Sequence, residues 1–209
     1  MSIYKTLRMS ALLGLTVFAA TRSMGITVAA VNDYDIAQTP LFVQNANEEP
    51  LMMLVMSRDE QLFNKAYPDF SDLNGDGLLD ITYNNDFDYS GYFDSKLCYS
   101  YGSGQFAAAS QATGAKRHYC NGREWSGNFL NWVSMSRLDI VRSVLYGGKR
   151  ITDTAGKTVI ERAEVPNDLH AWAKVYAGDD INLLTPLGTG TKSFCNATVT
   201  PGGAPLLRV

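Results

Sequence analysis

Asp72, Asn74, Asp76, Leu78 and Asp80 are the residues of this chain whose types and spacing suit a specific chemistry. They hold positions 1, 3, 5, 7 and 9 of the run DLNGDGLLD, with Gly77 at position 6. Oxygen donors at that spacing, with glycine at the sharp turn, form the pattern of a calcium-binding loop. Asp72, Asn74 and Asp76 can converge on one cation. Leu78 can offer its backbone carbonyl, and Asp80 can bind directly or through a water. Position 12 is Tyr83, where an EF-hand carries a bidentate glutamate. The expectation is therefore a Ca2+-stapled loop inside a larger domain, not a helix–loop–helix pair. Asp86 and Asp88 are further carboxylates that could complete the shell. Such a loop specifies a bound ion and no reaction.

No other constellation has that specificity. His118 and His170 are the only histidines and lie in no motif. His118, beside Lys116 and Arg117, reads as a surface residue. His170, near Trp172, reads as half-buried structure. The chain has no G-x-S-x-G, no G-x-x-x-x-G-K-[ST], no G-x-G-x-x-G and no C-x-x-C. No enzyme and no nucleotide partner are expected. A net charge of −3 gives no reason to expect nucleic acid. Asn196-Ala197-Thr198 matches a glycosylation triplet, relevant only in a host that glycosylates.

The elements that must position the acidic loop are read next. Met1–Ala30 reads as a secretory signal: Lys5 and Arg8 precede the apolar run Met9–Ala20, which is too short to span a bilayer. A buried amphipathic helix is the alternative. In an exported chain Cys98 and Cys120 are a sensible disulfide pair, against two reduced buried thiols, and Cys195 is left needing a partner elsewhere. Leu51–Met56, LMMLVM, suits a strand buried on both faces, or else a short buried helix. Residues about 57–125 read as an insertion ordered by metal and disulfide more than by a core of its own. Its aromatic cluster, Tyr83–Tyr101, is either a contact surface or, as favoured, a small core. Gly102–Gly114 reads as an exposed loop. Phe129–Tyr146 is the strongest helix, with Ser126 or Asn128 as cap, Gly147-Gly148 as stop, and Asp139 and Arg142 paired on its surface. Ile151–Glu161 reads as strand–turn–strand about Ala155-Gly156, and Pro166 as the start of a short helix through Tyr176. The residues alone thus describe a secreted, calcium-stabilised α/β domain.

The run Ser126–Tyr176, SGNFLNWVSMSRLDIVRSVLYGGKRITDTAGKTVIERAEVPNDLHAWAKVY, resembles the N-terminal region of the PilC/PilY family of bacterial type IV pilus-associated proteins. DIAQTPLF (Asp35–Phe42), LMMLVMSRDEQL and DLNGDGLLDITY…DYSGYFDSKLCYSY match in the same order. The resemblance implies an α/β fold, a von Willebrand factor A-like doubly wound sheet over 31–209. Leu51–Met56 would be its first strand, Phe129–Tyr146 its first helix, and the insertion would lie between them. It implies a chain that stops short of a C-terminal β-propeller. It implies export to the periplasm or cell surface, and roles in pilus assembly and surface adhesion. The implied partners are pilus subunits or minor pilins, and a host or abiotic surface. Ser57-Arg58-Asp59-Glu60-Gln61 stands where many A-type domains carry D-x-S-x-S, so no metal-dependent adhesion site is transferred. The alternatives are a generic calcium-stabilised extracellular module binding glycan or protein, and a secreted hydrolase.

Overall fold

In the computed structural model, which describes Met53, Val55, Ser57 and residues 59–209, the fold is arranged around Trp125–Tyr146. Strand β3 (Trp125–Ser126) runs into helix α1 (Gly127–Ser134), and α2 (Arg137–Tyr146) follows. The Ser126 hydroxyl accepts the Phe129 N–H and caps α1. The single helix expected over Phe129–Tyr146 is two, because Met135 and Ser136 are extended. A distant segment supplies the competing bonds: Ala66 N–H donates to Met135 O and Arg137 N–H to Asn64 O, each at 2.9 Å. Ser136 then caps α2 in a reciprocal box. Asp139 N–H donates to Ser136 Oγ at 3.2 Å, and Ser136 N–H to Asp139 Oδ2 at 3.1 Å. Asp139 does not pair with Arg142 on the surface. It is buried, and its Oδ1 accepts the Ala163 N–H at 2.6 Å. Gly147, at φ 79°, ends α2 in the left-handed conformation that favours glycine.

Three small antiparallel sheets surround these helices. The first has order β2-β1-β3, with β1 at Leu97–Gly102 and β2 at Gln105–Gln111. Gly102–Gly114 is therefore a strand over most of its length, not a loop. Ser103 and Gly104, both at positive φ, form the two-residue hairpin turn that matches strand twist. The second sheet is the hairpin β4 (Lys149–Thr154) and β5 (Lys157–Glu161), turning at Ala155-Gly156. The third has order β6-β7-β8, from Trp172–Tyr176, Lys192–Ala197 and Leu206–Arg208, with the short helix α3 (Ile181–Leu184) between β6 and β7. The helix expected from Pro166 to Tyr176 is instead a turn leading into β6. Lys174 and Tyr176 face inward while Ala173 and Val175 face out; a lysine at a core position hid that alternation.

The von Willebrand factor A-like sheet is not built by these residues. A doubly wound sheet needs parallel strands, and every pair of named strands here is antiparallel. Of the expected first strand, Leu51, Met52, Leu54 and Met56 lie outside the described residues, and Met53 and Val55 are in no strand. The expected signal segment and Asp35–Phe42 also lie outside.

All eight residues of α1 are buried. Phe129, Leu130, Trp132 and Val133 share one core with Tyr83, Tyr89, Trp125, Tyr176, Ile181, Leu184 and Phe194. The segment read as an insertion thus contributes Tyr83, Tyr89 and Trp125 to this core; of its aromatic cluster Tyr83 and Tyr89 are core, while Tyr101 is exposed. Rings meet mostly edge to face, such as Tyr83 on Phe129 at 5.2 Å and Phe129 on Phe194 at 5.3 Å. Arg162 ties the end of α1 to the third sheet. It donates to Ser134 O at 3.1 Å, Leu206 O at 2.9 Å and Asn196 Oδ1, and burial pushes its pKa down to about 10. Asn196 is fully buried, so the glycosylation triplet is closed to modification in the folded chain.

Candidate functional site

The loop at Asp72–Asp80 is closed at its neck by an isolated bridge, with Asp80 N–H donating to Ser71 O at 3.0 Å. Its backbone wraps around one carboxylate. Asp72 Oδ1 accepts the N–H of Gly75 at 2.7 Å and of Asp76 at 3.2 Å, and Oδ2 accepts that of Gly77 at 2.8 Å. Gly75 and Gly77, at φ 78° and 87°, make the wrap possible. Asn74 Oδ1 accepts the Asp76 N–H at 3.0 Å. Asp76 Oδ1 accepts the Leu78 N–H at 2.8 Å, and its Oδ2 accepts the Asn74 amide at 3.0 Å. Asp80 Oδ2 accepts the Leu73 N–H at 2.8 Å, and its Oδ1 accepts the Asn84 amide at 3.1 Å. Every side-chain oxygen of the expected donor set is already an acceptor. Among the described residues, no three acidic, histidine or cysteine side chains are gathered into a group that could hold a metal ion. The donor chemistry, oxygen only, suits a hard cation. An ion bound there would share these oxygens with the N–H groups they already accept. Asp86 and Asp88 are turned to other partners: Asp86 lies 3.9 Å from Lys116, and Asp88 pairs with Lys96 at 2.6 Å.

The loop is coupled to the core by a short relay. Asp80 holds Asn84, and Asn84 N–H donates to the Tyr89 hydroxyl at 3.0 Å. Tyr89 stacks on Tyr83 at 5.5 Å, and burial pushes both phenols well above their ordinary pKa. Asn128 and Asn131, one turn apart on α1, clamp this irregular stretch by its backbone. Asn128 Oδ1 accepts the Tyr89 N–H at 2.8 Å, and its amide donates to Phe87 O at 2.9 Å and to the Tyr83 hydroxyl at 3.0 Å. Asn131 accepts the Phe93 N–H at 3.1 Å and donates to Tyr89 O at 2.8 Å and Phe93 O at 2.7 Å. Gly91 passes so close that a Cβ there would collide with Asn131. The spacing of two asparagines in an apolar helix was the available signal.

His118 is not a surface residue; its side chain is fully buried. The turn Ala115–Arg117 leaves Lys116 and Arg117 outside and turns the imidazole in. Nδ1 lies 2.8 Å from Asn85 O, and Nε2 lies 2.7 Å from Asp88 Oδ1 and 2.8 Å from Lys96 Nζ. The hydrogen bond from Lys96 holds the Asp88 carboxyl below the usual carboxylate range. These partners hold the ring in place. His170 is half-buried as read, with Nδ1 2.7 Å from Asp168 and its ring edge-on to Phe63 at 5.1 Å.

Lys174 is the buried charge that sequence reading missed. Its ammonium donates to Tyr67 O at 2.6 Å and Asp69 Oδ1 at 2.8 Å, and Lys65 holds the other Asp69 oxygen. Cys98 and Cys120 are disulfide-bonded across 5.9 Å between Cα atoms, joining β1 to the strand-like stretch before β3. Cys195, on β7, is free and exposed.

Architecture and site together define a small mixed α/β domain with buried polar clusters and one exposed acidic loop. The family described as "PilY1 homolog, small alpha/beta domain" matches residues 80–205, and the chain belongs to that family. One relative, named a type IV pilus biogenesis factor PilY1 homolog from Xylella fastidiosa (strain Temecula1), is 43% identical over 167 residues, covering 75% of this chain and 11% of the relative. A second protein of that name from the same strain is 39% identical over 90 residues, covering 39% of this chain and 7% of its own length. No solved structure matches.

Proposed function

We propose that this chain is a binding module of a type IV pilus biogenesis factor, working outside the cytoplasm in pilus assembly and surface adhesion and catalysing nothing. The observation that carries the reading is the family match over residues 80–205 together with the relative's printed name. The relative is many times longer than the matched region, so the module contributes contacts within a larger protein. Its partners are pilus subunits or minor pilins, and a host or abiotic surface. Export is supported by the disulfide, which persists in oxidising compartments. The buried histidine, lysine and arginine are all bound to structural partners, which supports a role without chemistry.

Calcium belongs to the same reading. Asp72, Asn74, Asp76, Leu78 and Asp80 would hold it, and the ion would order the neck at Ser71–Asp80 and, through Asn84, the stretch clamped by α1. The oxygen-only donor set and its exposure support this. The alternative of a glycan-binding tyrosine surface would rest on Tyr101, which is exposed, because Tyr83 and Tyr89 are core residues.

The test is an allele lacking residues 59–209, introduced into the bacterium that carries the gene. Surface pili are counted by electron microscopy, and attachment is measured on glass. The expected result is fewer pili and weaker attachment. Normal piliation with normal attachment overturns the reading.

A further inference from the structure

Around the neck of the acidic loop the chain exposes apolar side chains that the core does not use. Phe70 is 67% exposed, Leu78 72%, Leu79 63% and Ile81 72%. The antiparallel bridge Ser71–Asp80 sets Phe70 opposite Ile81 just outside the neck, and Leu78 and Leu79 lie on the returning limb. Four large apolar residues exposed within twelve positions, on a loop that is bonded internally, are apolar surface of the kind that marks a contact site.

Charge selects the occupant. Residues 66–95 contain seven aspartates and no lysine, arginine, histidine or glutamate, although the whole chain carries only −3. Of the seven, Asp69 is paired with Lys65 and Lys174, and Asp88 with Lys96. Asp72 and Asp76 are not; among the described residues neither forms an ion pair, and both are exposed beside Leu78. Their hydrogen bonds come from N–H groups of the loop itself, which leave the net charge in place. A surface that is apolar and uniformly acidic attracts a segment that is apolar and basic, and it repels anionic lipid.

We propose that Phe70, Leu78, Leu79 and Ile81, with Asp72 and Asp76, form a docking surface for a basic amphipathic segment of a partner protein. The apolar side chains supply the affinity and the aspartates choose the sign of the partner. This deepens the binding-module reading and rests on it only for the identity of the partner. Because Asp72 and Asp76 are also the expected calcium donors, bound calcium would weaken the docking by removing its charge.

The test uses the full chain and two synthetic helical peptides, one of leucine and lysine and one of the same pattern with glutamate for lysine, followed by fluorescence anisotropy at low and moderate salt. The lysine peptide is expected to bind and the glutamate peptide not to. Leu78→Ser/Leu79→Ser, which leaves the charge unchanged, weakens binding at least about tenfold, as loss of two apolar anchors should. Asp72→Asn/Asp76→Asn weakens it several-fold and flattens its salt dependence. Glu124→Gln/Asp179→Asn, an equal charge change elsewhere, leaves it unaltered. Equal binding by all variants means attraction to net charge alone and overturns the proposal. So does preferential binding to phosphatidylglycerol vesicles, or self-association of the chain that Leu78→Ser/Leu79→Ser abolishes. A normal piliation result with the deletion allele leaves this measurement intact, so the two failures are distinguishable.

Discussion

The Lys174 ammonium lies 4.0 Å from the centre of the Trp132 ring, with its side chain closed off from solvent. The indole face, Asp69 and the Tyr67 carbonyl replace the water that the charge has lost. The replacement is incomplete. Burial pushes the Lys174 pKa down to about 8, against the opposing pull of Asp69.

That depression fixes the sign of a pH dependence. Below about pH 8 the lysine is charged in both states, and the fold carries the cost of burying it. Between about 8 and 10.5 the folded lysine is neutral while the unfolded one still binds a proton, so stability rises with pH. The gain from this one group is about 2 kcal/mol between roughly pH 7 and 9.5. From about pH 10 the buried tyrosines act in the opposite sense, because their raised pKa values let the unfolded chain ionise first. Urea unfolding across this range, in a Cys195→Ser background to avoid thiol exchange, should show the rise in wild type and its loss in Lys174→Met. Parallel profiles for the two proteins would remove Lys174 as the cause.

Asn131 gives the sharpest test of the clamp. Replacing it with alanine leaves Phe93 N–H, Phe93 O and Tyr89 O without their partner in a largely dry site. The expected cost is about 3 kcal/mol, in the range for orphaned buried polar groups. Asn121→Ala, on the exposed surface, should stay within about 0.5 kcal/mol. Chemical denaturation at neutral pH compares the two. A cost for Asn131→Ala as small as that for Asn121→Ala would mean that residues 83–93 are held by ring packing alone.

What was legible in the chain was local. The Ser126 cap, the Gly147 stop and the Ala155-Gly156 hairpin depend on residues a few positions apart, and each forms. Two further local signals were present but outweighed. Ser136-Arg137-Leu138-Asp139 is a capping box, yet the apolar periodicity of Phe129–Tyr146 runs across it. Ser103-Gly104 is a hairpin turn inside a stretch whose small polar residues read as a loop. What was not legible needed a distant partner. Asn64–Ala66 break the helix from 70 residues away in sequence. His118 is buried because Asp88, Lys96 and Asn85 meet it there, and Lys174 because Asp69 and Trp132 do. In the candidate site, the spacing of Asp72–Asp80 gave a calcium-loop expectation, and the structure gives a loop closed by the Ser71–Asp80 bridge. The spacing carried no information on which hydrogen bonds the loop oxygens already accept.

The cysteines separate into two classes that a thiol count resolves. Without reductant, the chain unfolded in guanidinium should show one thiol reactive toward Ellman's reagent, that of Cys195. The bond between Cys98 and Cys120 closes a loop with a sequence separation of 22 residues. Its removal by Cys98→Ala/Cys120→Ala should cost about 3 kcal/mol, with the loss concentrated in protection of the β1–β2 hairpin. Three reactive thiols in the unfolded, unreduced chain would contradict the pairing.

Calcium affinity is the last and most discriminating measurement, because the loop oxygens already accept hydrogen bonds. An ion must compete with those N–H donors, so the expected dissociation constant is weak, about 10⁻⁴–10⁻³ M. Isothermal titration should give saturable binding that Asp76→Ala abolishes. At roughly 100 times that constant the linked stabilisation is at most about 2.7 kcal/mol, visible as a rise in Tm that chelator reverses. Hydrogen exchange locates the effect. The Gly75, Asp76 and Gly77 amides, which now donate to Asp72 and Asn74, should gain protection on adding calcium. If the ion orders the neck, Asp80 and Asn84 gain it as well, while the α1 amides, already buried, do not change. Identical melting and exchange with calcium and with chelator, in both wild type and Asp76→Ala, would falsify the metal reading and leave Asp72 as the self-capped centre of an acidic loop.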